Sequence, residues 1–282
     1  MIKKALLFST IAISSVLQAT DSPLPISALN QYANTLVTSP SQIYTDIKNS
    51  NSNFKVGTDV YVSSTYNFVN IPVSYVYDNK FGVSVYLPYI ESDFDGRDTQ
   101  NGVGDVTFEV SFNAGSFDVY PQEENNIFGL RYTQDTGDEK KGLGMGASSI
   151  AIFWDTNIIL DEWSFYGSLL WTYYISDVET YGMSYTPGYE DMFFIGASHK
   201  CLLSDKVDTA LKLNWQYKGE DELDNGADID NSDYNIVDVT LQWKSDKLIK
   251  DIPVQAGVKI PIWNSNAHDN EFLFFVGIGG LF

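Results

Sequence analysis

Charged and amide side chains recur at every second position in this chain. Asp208, Lys212, Asn214, Gln216 and Lys218 share one parity, as do Asp105 with Glu109, Asp238 with Gln242, and Gln255 with Lys259; Arg131 joins them from its own segment. Successive side chains of an extended chain point to opposite faces, so each set lies on one face of its strand. Around a water-filled lumen, opposed carboxylates and ammonium groups set a transverse field that filters small ions by charge. Paired with one another, the same groups close that lumen. The spacing fits both outcomes.

Other chemistries are poorly served. Gly102, Gly104, Gly142, Gly144 and Gly146 lack the Lys-Ser/Thr end of a phosphate-binding loop and no helical pattern follows them, so they read as turns and bulges. The acidic run from Gly219 to Asp233 has oxygen donors at calcium-like spacing but does not complete a loop of about twelve residues with a terminal Glu. It reads as a solvated outer loop, open to bridging by divalent ions to anionic lipopolysaccharide. Cys201 stands alone, which excludes an internal disulfide and a multi-cysteine metal centre. Ser198 and His199 are adjacent and face opposite sides of a strand, and His268 sits in a short loop beside Asp269. No catalytic group, metal or cofactor is assigned, and no enzymatic activity is expected. A barrel enzyme such as a phospholipase, its serine brought to a histidine from another strand, is the weakest alternative.

Composition narrows the partners. Lys and Arg number 17 against 37 Asp and Glu, a net charge of −20, which repels phosphate backbones, so nucleic acid is not an expected partner. Charged residues are 19% of the chain and hydrophobic ones 44%. That charged share is below the roughly 25% of soluble domains. Met1 to Ala19 carries Lys3 and Lys4 ahead of the apolar run Ala5 to Ile13, and reads as a cleavable signal peptide. Residues 20–53 break the strand rhythm: Ile26, Leu29, Tyr32, Ala33 and Leu36 have helical spacing, with Ser39-Pro40-Ser41 as a stop. This segment reads as a periplasmic extension, with a plug folded into the lumen as the other reading.

From residue 54 onward the elements that must position the charged faces appear. Apolar alternation marks twelve strands at 54–65, 68–77, 81–90, 104–113, 125–134, 146–155, 163–175, 190–200, 206–218, 233–244, 251–262 and 270–282. Long polar connections at 91–103, 135–145, 176–189 and 219–232 alternate with tight joins at 78–80 and 201–205 and a fairly short one at 245–250, the one-sided pattern of a barrel through a membrane, although 114–124 is long for a periplasmic turn and 66–67 and 263–269 are short for outer loops. Ten residues at about 3.3 Å each, tilted by about 45°, rise roughly 23 Å, the apolar height of an outer membrane. Aromatic residues at Tyr86 to Tyr89, Phe153-Trp154, Trp171 to Tyr174, Trp215 to Tyr217, Trp243 and Trp263 suit two interfacial girdles. The expected fold is therefore all-β, a transmembrane antiparallel up-and-down β-barrel over residues 54–282 with polar positions inward. The alternative is a secreted or surface β-sandwich adhesion module with the apolar face inside.

The closing Glu271 to Phe282 resembles the last strand of Gram-negative outer-membrane proteins, whose terminal aromatic is read by the barrel-assembly machinery; Phe282 carries that likeness. Tyr86-Leu87-Pro88-Tyr89, Asn101-Gly102-Val103-Gly104-Asp105-Val106 and Gly142-Leu143-Gly144-Met145-Gly146 resemble the transporter family named for the meta-pathway of phenol degradation. The resemblance implies an outer-membrane channel, reached through the periplasm, that passes aromatic or other poorly soluble small solutes passively, with lipid and lipopolysaccharide around it.

Overall fold

The computed structural model describes residues 39–49, 53–63, 66–92, 99–116, 124–138, 141, 143–180, 183–204, 206–229, 232–249, 252–265 and 272–281. The leader, the helical pattern at Ile26 to Leu36, His268 and Phe282 lie outside these residues.

In chain order, helix α1 (Pro40–Asn49) precedes β1 (Phe54–Val62), β2 (Tyr66–Tyr77), β3 (Phe81–Ser92), β4 (Gln100–Val103), β5 (Val106–Asn113), β6 (Glu124–Gln134), β7 (Ser149–Leu160) and β8 (Trp163–Tyr174). There follow β9 (Val178–Thr180), β10 (Met183–Thr186), β11 (Glu190–Ser204), β12 (Val207–Lys218), β13 (Glu222–Leu223), β14 (Tyr234–Ile249), β15 (Ile252–Ser265) and β16 (Leu273–Leu281). Twelve strands form one antiparallel ring, closed where β1 meets β16 from Lys55 opposite Leu281 to Val62 opposite Phe274. Closure pairs each long strand on both sides, which an apolar surrounding demands. Strand β4 continues the line of β5 along the outer part of β3, and β9, β10 and β13 make a small separate sheet in the loops of the outer end.

The outer surface is apolar because every long strand alternates. Val83, Leu87, Val110, Leu211, Leu213, Val276 and Ile278 are exposed while their sequence neighbours point inward. Exposed aromatics collect at two heights. Tyr77, Phe81, Phe112, Trp163 and Phe165 sit near the tight turns; Tyr89, Tyr132, Tyr173, Tyr189, Trp215 and Trp263 sit near the long loops. Water would penalise such a belt, whereas lipid and its interface accommodate it. The sandwich alternative, with these same residues packed against one another, is overturned.

Boundaries differ from the sequence expectation in instructive places. Strand β7 spans Ser149–Leu160 rather than 146–155, and the β7–β8 turn is only Asp161-Glu162, with left-handed φ at Asp161. The β2–β3 turn is short as expected, with left-handed backbone at Asp78 and Asn79, residue types that tolerate it, and Lys80 N donating to Tyr77 O. Strands β11 and β14 run past their expected ends to Ser204 and Ile249.

Helix α1 begins where the sequence suggests a stop. Proline in the first helical turn gives up an amide that would have no helical partner and brings a φ already suited to helix. Ser39 O accepts from Gln42 N and Ile43 N. Ile43, Tyr44 and Ile47 form one buried face, packed on the inner sides of β1, β2, β6 and β7. The helix thus lies within the barrel at the tight-turn end.

Candidate functional site in the lumen

All twelve charged or amide positions singled out by spacing belong to the inner face of the ring. In the middle of the lumen, Arg131 Nε donates to Glu109 Oε2 at 2.8 Å with both side chains almost fully buried. Tyr86 OH donates to the same carboxylate oxygen at 3.2 Å, and the guanidinium lies 4.8 Å from the Phe153 ring centre. Around the wall, Asn214 Nδ2 donates to Asp238 Oδ2 at 3.1 Å, and Lys259 Nζ approaches that oxygen at 4.0 Å. Gln242 donates to Gln255, which donates to Asp59, each at 2.8 Å. Lys212 lies 5.5 Å above the Tyr166 ring and 5.6 Å from Phe194, and Asp208 accepts from Cys201 N at 3.2 Å.

Three of the twelve serve the loop end. Asp105, only 2% exposed, accepts backbone hydrogen bonds from Thr136 N at 3.1 Å, Gly137 N at 2.9 Å and Met145 N at 2.7 Å, and so holds the β6–β7 loop over the barrel mouth. Lys218 pairs with Asp221, whose Oδ1 also accepts from Gly188 N at 2.8 Å. Gln216 sits just below this pair on β12. The acidic run is therefore organised at its start by its own side chains. Residues 86–89, 101–106 and 143–146 also converge in space: Gly104 N donates to Pro88 O, and a side chain at Gly102, Gly104 or Gly144 would collide with Leu143, Ile90, Asp105 or Gly137.

The interior is not uniformly polar as expected. Tyr61, Phe68, Tyr86, Phe153, Phe194 and Phe275 point inward and are about 1% exposed. Phe153 and Tyr86, assigned by sequence to the girdles, are lumen residues, while Trp154 stacks outside against Phe128 at 6.3 Å. Glycine makes room for these rings: a Cβ at Gly129 would strike Phe153, and one at Gly257 would strike Phe275. Tyr61, Phe68, Tyr86 and Phe275 fill the side of the lumen lined by β1, β2, β3 and β16, while Phe153 enters from β7 and Phe194 from β11.

The opposite wall is different. Asp155 Oδ2, Asn157 Oδ1, Ser168 Oγ, Asn214 Oδ1, Gln216 Nε2 and Asp238 Oδ1 are buried without a protein hydrogen-bond partner. They form a stripe up β7, β8, β12 and β14, crossed on the intervening β11 by the inward, buried Met192 and Phe194. Polar atoms so placed carry a large desolvation cost unless water or solute reaches them. At its lower end the stripe meets a cavity of about 350 Å³ bordered by α1 and by Lys212, Lys244, Asp208 and Tyr166.

Helix α1 is tied to this lumen by polar contacts from several strands. Ser41 N donates to Asp155 Oδ1 at 3.0 Å, Tyr44 OH meets Ser111 Oγ at 3.1 Å, and Thr45 Oγ1 accepts from Asn125 at 3.3 Å and Asn157 at 3.4 Å. Asp46 receives Lys55 Nζ at 2.7 Å and Lys244 Nζ at 2.8 Å. Burial alone would raise the Asp46 carboxyl, but Lys244 and Lys55 win and hold it well below the usual carboxylate range. Burial pushes the Tyr44 phenol up to about 12, opposed by its Ser111 hydrogen bond.

Asp46, Asp59, Asp155 and Lys244 escaped the sequence reading. Lys244 follows Val237, Val239, Leu241 and Trp243 in alternation, and so could have been found by extending that pattern by one residue. Among the described residues the histidine chemistry does not assemble: His199 lies outside against Trp163, 4.6 Å between ring centres, while Ser198 Oγ contacts Tyr166 OH inside at 2.7 Å.

A closed antiparallel ring with a lipid-suited exterior and an ionic interior defines the fold of a bacterial outer-membrane β-barrel. Among solved structures it is similar to an outer membrane channel from Pseudomonas putida F1, at 13% identity and a TM-score of 0.64 over 82% of this chain and 96% of that one. It is also similar to the NanC porin, at 10% identity and a TM-score of 0.54 over 81% and 100% of the two chains. No protein-family description and no curated protein matches the sequence.

Proposed function

We propose that the protein is a passive outer-membrane channel for small solutes, without enzymatic activity or cofactor, and that its path follows the wall of β7, β8, β12 and β14. The observation that carries this reading is the stripe of buried polar atoms without protein partners, continuous with the lower cavity. An adhesion module or a structural barrel has no need of such a stripe. The path is lined by Asp208, Lys212, Asn214, Gln216, Asp238 and Gln242, with Gln255 and Lys259 on the neighbouring strand. Glu109 and Arg131 close the opposite side, and Asp105 and Lys218 shape the mouth.

Helix α1 serves as the lower plug in this reading, which recasts residues 20–53 as a plug-bearing segment rather than a periplasmic extension. The convergence of Pro88, Gly104, Asp105, Leu143 and Gly144 favours membership of the phenol meta-pathway transporter family, and the packed rings suit aromatic or hydrophobic solutes. Met1 to Ala19 supplies export, Phe282 the assembly signal, and lipopolysaccharide the outer surroundings.

Reconstitution into liposomes with sugars, organic acids and phenols tests the reading. Solute-dependent swelling is expected, reduced several-fold by Asn214→Trp or Ser168→Trp, which place bulk in the stripe. Permeation equal to that of protein-free liposomes across the whole panel would reject it.

A further inference from the structure

The lower cavity has a charge balance opposite to that of the chain. Against 37 acidic and 17 basic residues overall, its border carries the ammonium groups of Lys200, Lys212 and Lys244 and only two carboxylates, Asp46 and Asp208. One of these two does not belong to the wall. Asp46 is carried in by α1, and both of its oxygens are engaged: Lys244 Nζ reaches Oδ1 at 2.8 Å and Oδ2 at 3.1 Å, and Lys55 Nζ reaches Oδ2 at 2.7 Å. Lys55 stands on β1 and Lys244 on β14, separated around the ring by β15 and β16. Two ammonium groups from different strands therefore converge on one carboxylate, and that carboxylate is carried by α1 rather than by the wall. Beside them a smaller space of about 40 Å³ is bordered by Asp46, Lys55, Lys244 and Gln255, so the lysines are approachable from both sides.

We infer that Lys55 and Lys244 form a carboxylate-binding site, filled by Asp46 while α1 is docked and by the carboxylate of a small organic acid when α1 is displaced. This rests on the channel reading for its purpose and deepens it by naming the solute class. The larger cavity adjoins Lys244 directly, so an acid with a compact body of about ten heavy atoms fits with its carboxylate toward Lys244 and its ring or chain toward Tyr166. Charge-assisted hydrogen bonds to two ammonium groups make the site selective for carboxylate over the matching alcohol. Two carboxylates cannot share the same pair of lysines without like-charge repulsion. Solute binding and plug docking are consequently competitive, and an arriving acid loosens the element that blocks its way.

Benzoate and its neutral analogue benzyl alcohol are the probes, with the full-length protein in detergent micelles. Calorimetric titration is expected to show benzoate binding at least tenfold tighter to Asp46→Asn than to the wild type, because the internal competitor is gone. The double variant Asp46→Asn/Lys244→Gln is expected to lose that binding, and benzyl alcohol to bind none of the three. In the wild type, benzoate but not benzyl alcohol is expected to speed tryptic cleavage at Lys48, in the last turn of α1, a readout that needs no variant to fold. Equal benzoate affinity in the wild type and Asp46→Asn, or cleavage at Lys48 indifferent to benzoate, would overturn the site. Benzoate binding as expected, but with no current across planar bilayers from either protein, would instead overturn the channel reading and the gating built on it.

Discussion

Replacing Glu109 by Ala tests whether the middle of the lumen is dry. The Arg131–Glu109 bond is 2.8 Å long, and the two side chains are 4% and 1% exposed. In such surroundings removal of one partner of an ion pair costs about 3–5 kcal/mol, because the remaining charge stays buried without its counter-charge. Exposed pairs cost only about 0.2–1 kcal/mol. The guanidinium keeps its contacts with Phe153 at 4.8 Å and Tyr86 at 5.8 Å in the variant, but these exist in the wild type too and give no new compensation. Tyr86 OH also loses its acceptor. Urea unfolding of the barrel in lipid vesicles, followed by tryptophan fluorescence, should therefore show a loss within that range, Asp155 remaining as a more distant counter-charge. Glu109→Leu with Arg131→Met should recover most of it, since replacing both partners by apolar groups is close to neutral or stabilising. A loss below about 1 kcal/mol for Glu109→Ala would mean that water reaches the pair, and the packed side of the lumen would have to be redrawn as part of the path.

Three further outcomes follow from the geometry. Gly129→Val forces a side chain into the Phe153 ring and should destabilise the barrel by about 1–3 kcal/mol by the same assay, whereas Gly115→Ala, at an open position where only backbone conformation resists, should cost less. Asp105→Ala removes the acceptor of three backbone amides, and trypsin should then cut the β6–β7 loop at Lys141 several-fold faster with the barrel intact. Docking of α1 should have a defined pH window. The lowered Asp46 pKa contributes stability that is complete above the ordinary carboxylate value of 3.8 and fades as pH falls through the lowered value. The raised Tyr44 pKa contributes stability that is complete below 10.0 and fades as pH rises toward about 12. Protection of Lys48 from proteases matched to each pH should be flat between these limits and fall beyond both.

The exterior was legible in the sequence because lipid imposes a strict rule on every second residue. In β12 the alternation from Val207 to Lys218 names both faces without error, since any slip by one residue would turn Lys212 and Lys218 into hydrocarbon. The interior obeys no such rule. Phe153 points inward with Ala151, Asp155 and Asn157 and Trp154 outward with Ile150 and Ile152, but the room for a ring at Phe153 is made by Gly129 on the neighbouring strand. That pairing is non-local and cannot be read from either segment alone. Residues 40–49 failed for a different reason: Pro40 is equally consistent with ending one helix and starting another, and the choice is made by long-range partners such as Asp155, Ser111 and Lys244.

The division of the lumen into a packed side and a polar side has a consequence for what a plug must do. A helix that simply filled space could dock with apolar contacts alone, and Ile43, Tyr44 and Ile47 would suffice. Helix α1 also carries polar contacts: Ser41 and Thr45 meet Asp155 and Asn157 on β7, Thr45 meets Asn125 on β6, and Asp46 meets Lys244 on β14 and Lys55 on β1. Each of those polar contacts satisfies a wall group that water or solute would satisfy once the helix leaves, so undocking exposes no uncompensated charge. The free-energy difference between the docked and undocked states is thereby kept small compared with the cost of opening a dry core. A barrel with Ser41, Thr45 and Asp46 all replaced by Leu leaves Lys55, Lys244, Asp155 and Asn157 facing hydrocarbon instead of their partners, so α1 should be loosened and current in planar bilayers should rise above that of the wild type. Current equal to that of the wild type from this variant would show that the polar face of α1 has no part in opening.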